Sequence, residues 1–87
     1  MKTYMVIEQY KPEKTEAVYR RFAQKGRMLP HGVEYVDSWV EEGLQKCYQL
    51  MKSESLEKLN EWIDNWKDLV DFEVVAVISS KEAADQF

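Results

Sequence analysis

The stretch from Gly32 to Lys52 most constrains how the chain can fold. It reads Gly-Val-Glu-Tyr-Val-Asp-Ser-Trp-Val-Glu-Glu-Gly-Leu-Gln-Lys-Cys-Tyr-Gln-Leu-Met-Lys, two alternating runs on either side of Glu-Glu-Gly. Alternation at period two interrupted by a turn signal predicts a β-hairpin. A three-residue loop usually joins a type I turn to a left-handed third residue, and Gly43 would supply that residue at no steric cost. Val40 is then expected opposite Leu44. This register puts Val36, Val40, Leu44, Tyr48 and Leu50 on one face. Tyr35, Asp37, Trp39, Gln45, Cys47, Gln49 and Met51 share the other, with Asp37 facing Cys47.

The flanking segments repeat a simple order. Residues 3 to 10, Thr-Tyr-Met-Val-Ile-Glu-Gln-Tyr, are rich in β-branched and aromatic types and predict a strand. Pro12 suits the first position of a following helix, with Glu13 and Glu16 complementing its dipole. That helix is expected to run to about Lys25, to bury Val18, Phe22 and, after the turn, Leu29, and to stop at Gly26 before Pro30. Beyond the hairpin, Ser53 and Ser55 are alternative N-caps for a second helix, whose apolar positions Leu56, Leu59, Ile63 and Trp66 keep helical spacing. Residues 71 to 79 predict a final strand and residues 81 to 87 a polar tail, leaving residues 1 to 80 as one domain.

Strand, helix, strand, strand, helix, strand is the ferredoxin-like α+β pattern βαββαβ, a four-stranded antiparallel sheet with both helices on one face. Tyr4, Val6, Trp39 and several valines exceed what two helices can cover. The opposite face therefore calls for a partner, most simply a second copy packed sheet against sheet with a cavity between, a dimeric α/β barrel.

Charge and composition narrow the function classes. The 87 residues carry 12 basic and 16 acidic side chains, net −4, with no basic stripe, which argues against nucleic acid as a partner. No apolar run approaches the roughly 20 residues of a spanning helix, so no membrane is expected. The one cysteine cannot form an internal disulfide, and charge within the first eight residues is out of place for a secretory leader, so the expected setting is cytoplasmic. One His and one Cys without a spaced carboxylate cluster do not make a closed metal site. No phosphate loop, nucleophile elbow or dinucleotide fingerprint is present, and no cofactor is expected.

Tyr-Met-Val-Ile-Glu at 4 to 8, Arg-Phe-Ala-Gln-Lys-Gly-Arg-Met-Leu-Pro at 21 to 30, Tyr-Val-Asp-Ser-Trp at 35 to 39, Cys-Tyr-Gln-Leu-Met at 47 to 51 and Asp-Leu-Val-Asp-Phe-Glu-Val-Val at 68 to 75 resemble a small bacterial domain-of-unknown-function family of the dimeric α/β-barrel superfamily. More distantly, the chain is similar to RedY-like proteins found with prodiginine-type pigment clusters. The resemblance implies the same fold and a homodimer. It implies no reaction, since the superfamily holds cofactor-free monooxygenases, isomerases, cyclases, haem degraders and plain binders.

Candidate site residues follow from the mixed strand faces. Asp37 is a candidate general base if burial raises its pKa, or else a structural acceptor on an edge strand. Glu8 shares a strand face with Tyr4 and Val6. It either points into the cavity, within reach of Arg27, or ends in a surface ion pair. Cys47 has no histidine beside it in sequence and reads better as a buried thiol than as a nucleophile. Trp62 and Trp66 either roof a pocket or belong to the core. The resulting expectation is a small apolar or aromatic ligand held between two sheets by Tyr4, Arg27, Tyr35, Trp39, Cys47 and Gln49. Asp37 or Glu8 would be the base for any cofactor-free isomerisation or cyclisation. The rival expectation is a non-enzymatic interaction or regulatory protein with a solidly packed interface.

Overall fold

In a computed structural model describing residues 1–87, the backbone runs β1 (Lys2–Tyr10), α1 (Thr15–Lys25), β2 (Val33–Val40), β3 (Lys46–Ser53), α2 (Leu56–Asp64), β4 (Val70–Val77) and a short α3 (Ser80–Ala84). The strands form one antiparallel sheet in the order β2-β3-β1-β4, which is the ferredoxin-like topology. Most of the segment expected as a polar tail lies in α3, which opens on a capping box between Ser79 and Glu82. No helix is long and apolar enough to cross a membrane.

Period two decides what each strand buries. On β1, Tyr4, Val6, Glu8 and Tyr10 are all buried. They lie beside Met51, Gln49 and Cys47 of β3 and beside Val74, Phe72 and Val70 of β4. This face carries the helices, and its core is closed by Val18 of α1, by Leu59 and Trp62 of α2, and by Trp66 and Leu69 just after α2. Met5 and Ile7 therefore face the other way. The expectation that Tyr4 and Val6 need cover from outside is overturned, because the helices bury both. The uncovered apolar face is made instead by Met5, Ile7, Tyr48, Leu50, Val75 and Trp39, assigned by the strand register.

The hairpin register differs from the expected one. Val40 pairs with Cys47 and Asp37 with Leu50, three residues from the partners that a Gly43-centred loop would impose. Leu44, not Gly43, takes the left-handed φ, at 59°. The loop lengthens because the end of β1 and the start of α1 claim its far side: Tyr10 N–H donates to the Gln45 carbonyl at 2.9 Å, and the Thr15 hydroxyl donates to the Leu44 carbonyl at 3.2 Å. An odd displacement exchanges the two faces of a strand. A bulge between Tyr35 and Asp37 then absorbs one residue, which returns Tyr35 to the helix side while Asp37 and Trp39 stay on the open side.

The helix ends show which signals acted. Pro12 is not the first helical residue. It occupies a turn in which Lys14 N–H donates to Lys11 O at 3.0 Å and Glu13 has φ 64°, the pattern of a type II turn, so α1 starts at Thr15. Gly26 ends α1 with φ 65° and ψ −156°, as expected of a glycine stop. Ser55, not Ser53, caps α2, accepting from Lys58 N–H at 3.1 Å. Phe22 and Leu29, expected to be buried with Val18, stay about 40% exposed.

Candidate functional site

Between the helix-bearing face of the sheet and the two long helices lies a cavity of about 190 Å³. The sheet supplies Glu8 and Tyr10 from β1, Ser38 and Val40 from β2, and Cys47 and Gln49 from β3. Val18, Tyr19 and Phe22 of α1 form one wall. Trp62 and Trp66 form another, and Arg27 stands in the α1–β2 connection. A dry cavity of about 150 Å³ admits benzene, so this volume accommodates about one substituted ring.

Polar groups cross the cavity wall as a chain. Arg27 Nε donates to Gln49 Oε1 at 3.3 Å, and Gln49 Nε2 donates to a Glu8 carboxylate oxygen. The guanidinium stacks 3.5 Å from the Tyr35 ring centroid and 5.0 Å from that of Phe22. Its backbone is fixed as firmly. The indole N–H groups of Trp62 and Trp66 both donate to the Arg27 carbonyl at 3.0 Å, and Asn65 Nδ2 donates to the Met28 carbonyl at 3.0 Å. Gly26 and Met28 on either side of Arg27 have φ of 65° and 59°, which turns the chain sharply at this point.

Electrostatics separate the groups. Burial pushes the Glu8 carboxyl up to about 7, against the opposing pull of the Gln49 hydrogen bond and the Arg27 charge. Burial, reinforced by Glu8, lifts the Cys47 thiol to about 11, despite opposing effects of Tyr10 and Arg27. Tyr10 is also raised, by burial first and then by Tyr19, against whose ring it packs edge-on at 6.1 Å. Near neutrality Glu8 can therefore hold or release a proton, while the thiol stays protonated and is a poor nucleophile.

The structure unites only part of the expected site. Glu8, Cys47, Gln49 and Arg27 meet at one cavity, with Tyr35 supporting Arg27. That cavity lies under the helices of one chain and not between two sheets. Asp37 lies on the opposite face, exposed, its Oδ1 accepting the Ser38 N–H at 2.8 Å. Trp39 is on that face too, 54% exposed, and Tyr4 packs in the core beyond the cavity. Tyr10, Tyr19 and Ser38 were not anticipated. Tyr10 was legible as the next inward position after Glu8, whereas Ser38 reaches the cavity only through the shifted register. Trp62 and Trp66 are both core and cavity wall. No group of three or more His, Cys, Asp or Glu side chains is placed to hold a metal ion.

Comparison with known proteins bears on fold and family. No curated protein matches the chain. Among solved structures, it is similar to a Deinococcus radiodurans protein with the provisional designation antibiotic biosynthesis monooxygenase. The TM-score is 0.52 and the identity 15%, over 92% of this chain and 93% of that one. At that identity the likeness shows a shared fold. A family match extends over residues 2–87, and the chain therefore belongs to the family described as Domain of unknown function (DUF3303).

Proposed function

We propose that the protein binds a small apolar or aromatic metabolite in the cavity between helices and sheet, with Glu8 as its proton-exchanging group. One observation carries this reading: a buried carboxyl poised near pH 7 on the wall of a cavity with eight hydrophobic residues among twelve. A structural carboxyl is usually ionised and paired, whereas this one rests on a neutral amide. If the bound molecule reacts, the chemistry is cofactor-free proton transfer: Glu8 takes a proton from an acidic C–H or O–H, and Arg27 stabilises the oxyanion left behind. The working unit is a homodimer paired through the open sheet face, on which Ile7, Trp39, Tyr48 and Leu50 are otherwise left to water.

Native mass spectrometry of freshly purified protein tests both parts at once. The expected spectrum is a dimer with extra mass of small-molecule size, lost on denaturation. A stable monomer overturns the pairing. A chain that returns bare and gains no thermal stability from any small aromatic compound overturns the binding role and favours a packed interaction protein.

A further inference from the structure

Of the three arginines, Arg20 bonds to Glu16 at 3.1 Å and Arg21 forms a two-pronged pair with Asp68 at 2.7 and 2.8 Å. Arg27 has no carboxylate partner. Only its Nε is engaged, by a neutral amide, and both Nη groups lack any protein acceptor although the residue borders the cavity. Stacking on Tyr35 and the double anchoring of the Arg27 carbonyl hold this unpaired cation in place. A planar fork with free donors, held beside an apolar space, is complementary to a carboxylate or an enolate.

We infer that the ligand is a monoanion of about one ring in size, its carboxylate or enolate oxygens held by the Nη groups of Arg27 and its ring against Trp62 and Trp66. The inference rests on reading the cavity as a ligand site. One guanidinium balances one negative charge. A dianion such as a phosphate ester would place surplus charge next to Glu8, and a cavity of about 190 Å³ leaves little room for a larger polar group.

The test uses the full chain labelled with 15N, at pH 6, with benzoate as anionic probe and benzamide as its neutral match. Trp62 and Trp66 indole signals report the cavity, and Trp39, on the opposite face, is the internal control. Benzoate is expected to shift the Trp62 and Trp66 signals but not that of Trp39, and to bind about tenfold more tightly than benzamide. Arg27→Met should remove that preference. Arg27→Lys, which keeps charge and loses the fork, should weaken benzoate several-fold and decides the matter if the Met variant does not fold. Equal affinity for the two probes, or a preference that survives both variants, overturns the anion inference and leaves the cavity reading standing. Absence of any shift at Trp62 and Trp66 overturns both.

Discussion

Trp62 and Trp66, one turn apart, donate their indole N–H groups to the same acceptor, the carbonyl oxygen of Arg27, each at 3.0 Å. Two buried aromatic side chains thereby fasten α2 and the turn after it to the α1–β2 connection. The arrangement places the backbone of the residue that carries the free guanidinium. Either indole alone satisfies the carbonyl, so the substitutions should not be additive. Trp66→Phe or Trp62→Phe is expected to cost about 1–2 kcal/mol each. The double variant should lose roughly 1 kcal/mol more than their sum, because it leaves a buried carbonyl unpaired. Urea denaturation of the four proteins measures this; strict additivity would show that the shared acceptor contributes nothing.

Glu8 makes stability depend on pH in the direction opposite to most carboxylates. Its folded value of about 7 lies above the ordinary 4.5, so the folded chain holds a proton that the unfolded chain has released. Stability falls as pH rises from about 4.5 to about 7 and levels off above that, by roughly 3 kcal/mol in all. Glu8→Gln accepts the same bond from Gln49 without the charge. It should be flat across that window and more stable than wild type at pH 8. Asp68, held down to about 2 by Arg21, acts at the other end, its stabilisation lost only as pH falls below about 4. Thermal melts of wild type and Glu8→Gln from about pH 2 to about pH 8.5 separate the two groups.

The loop of the hairpin shows where sequence reading stops. Glu-Glu-Gly-Leu offers one residue that tolerates positive φ freely, yet Leu44 adopts it because its carbonyl and that of Gln45 are held by Thr15 and Tyr10. Gly43→Ala should therefore change stability by less than about 0.5 kcal/mol. Leu44→Gly should be neutral or slightly stabilising. Gly26→Ala should cost about 1–3 kcal/mol, since φ 65° with ψ −156° is a region left almost entirely to glycine. Chemical denaturation of the three variants checks the ranking, and a costly Gly43→Ala would restore the shorter loop.

Element order, the Gly26 stop and the shared face of Cys47 and Gln49 were legible, because alternation and helix breakers are local signals. The inward face of β1 was not. Met5 and Ile7 are as apolar as Tyr4 and Val6, and the choice is made by the helices above the sheet. The odd shift of the hairpin register parts Asp37 and Trp39, which stay on the open face, from Cys47 and Gln49, and puts Ser38 beside the cavity instead; the bulge between Tyr35 and Asp37, which leaves no mark in an unbroken alternating run, then parts Tyr35 from Asp37.

Pairing through the open face predicts that a charge at its centre blocks assembly and spares the cavity. Ile7→Glu and Trp39→Glu point away from the helices and should yield monomers by light scattering, without moving the Trp62 and Trp66 indole signals. A dimer that withstands both variants would mean that another surface holds the copies together.

Proton and anion binding should be linked at the cavity. The titratable or charged groups facing Glu8 are Arg27, Cys47, Tyr10 and Tyr19. Burial places the Cys47 and Tyr10 transitions well above neutrality. Exposed His31 is not part of the lining. Below about pH 7 Glu8 is neutral and leaves the Arg27 fork to a bound anion. Above it, a second negative charge stands one amide away and competes. Benzoate affinity is therefore expected to fall about tenfold between pH 6 and pH 8. Benzamide affinity should hardly change over the same range. Glu8→Gln should remove the benzoate dependence and keep the higher affinity at both ends. Titration calorimetry in two buffers of different ionisation enthalpy gives a second reading: near pH 7 benzoate should bring a fraction of one proton into the wild-type complex and none into Glu8→Gln. A benzoate affinity independent of pH in the wild type would separate Glu8 from the anion site and leave Arg27 to bind alone.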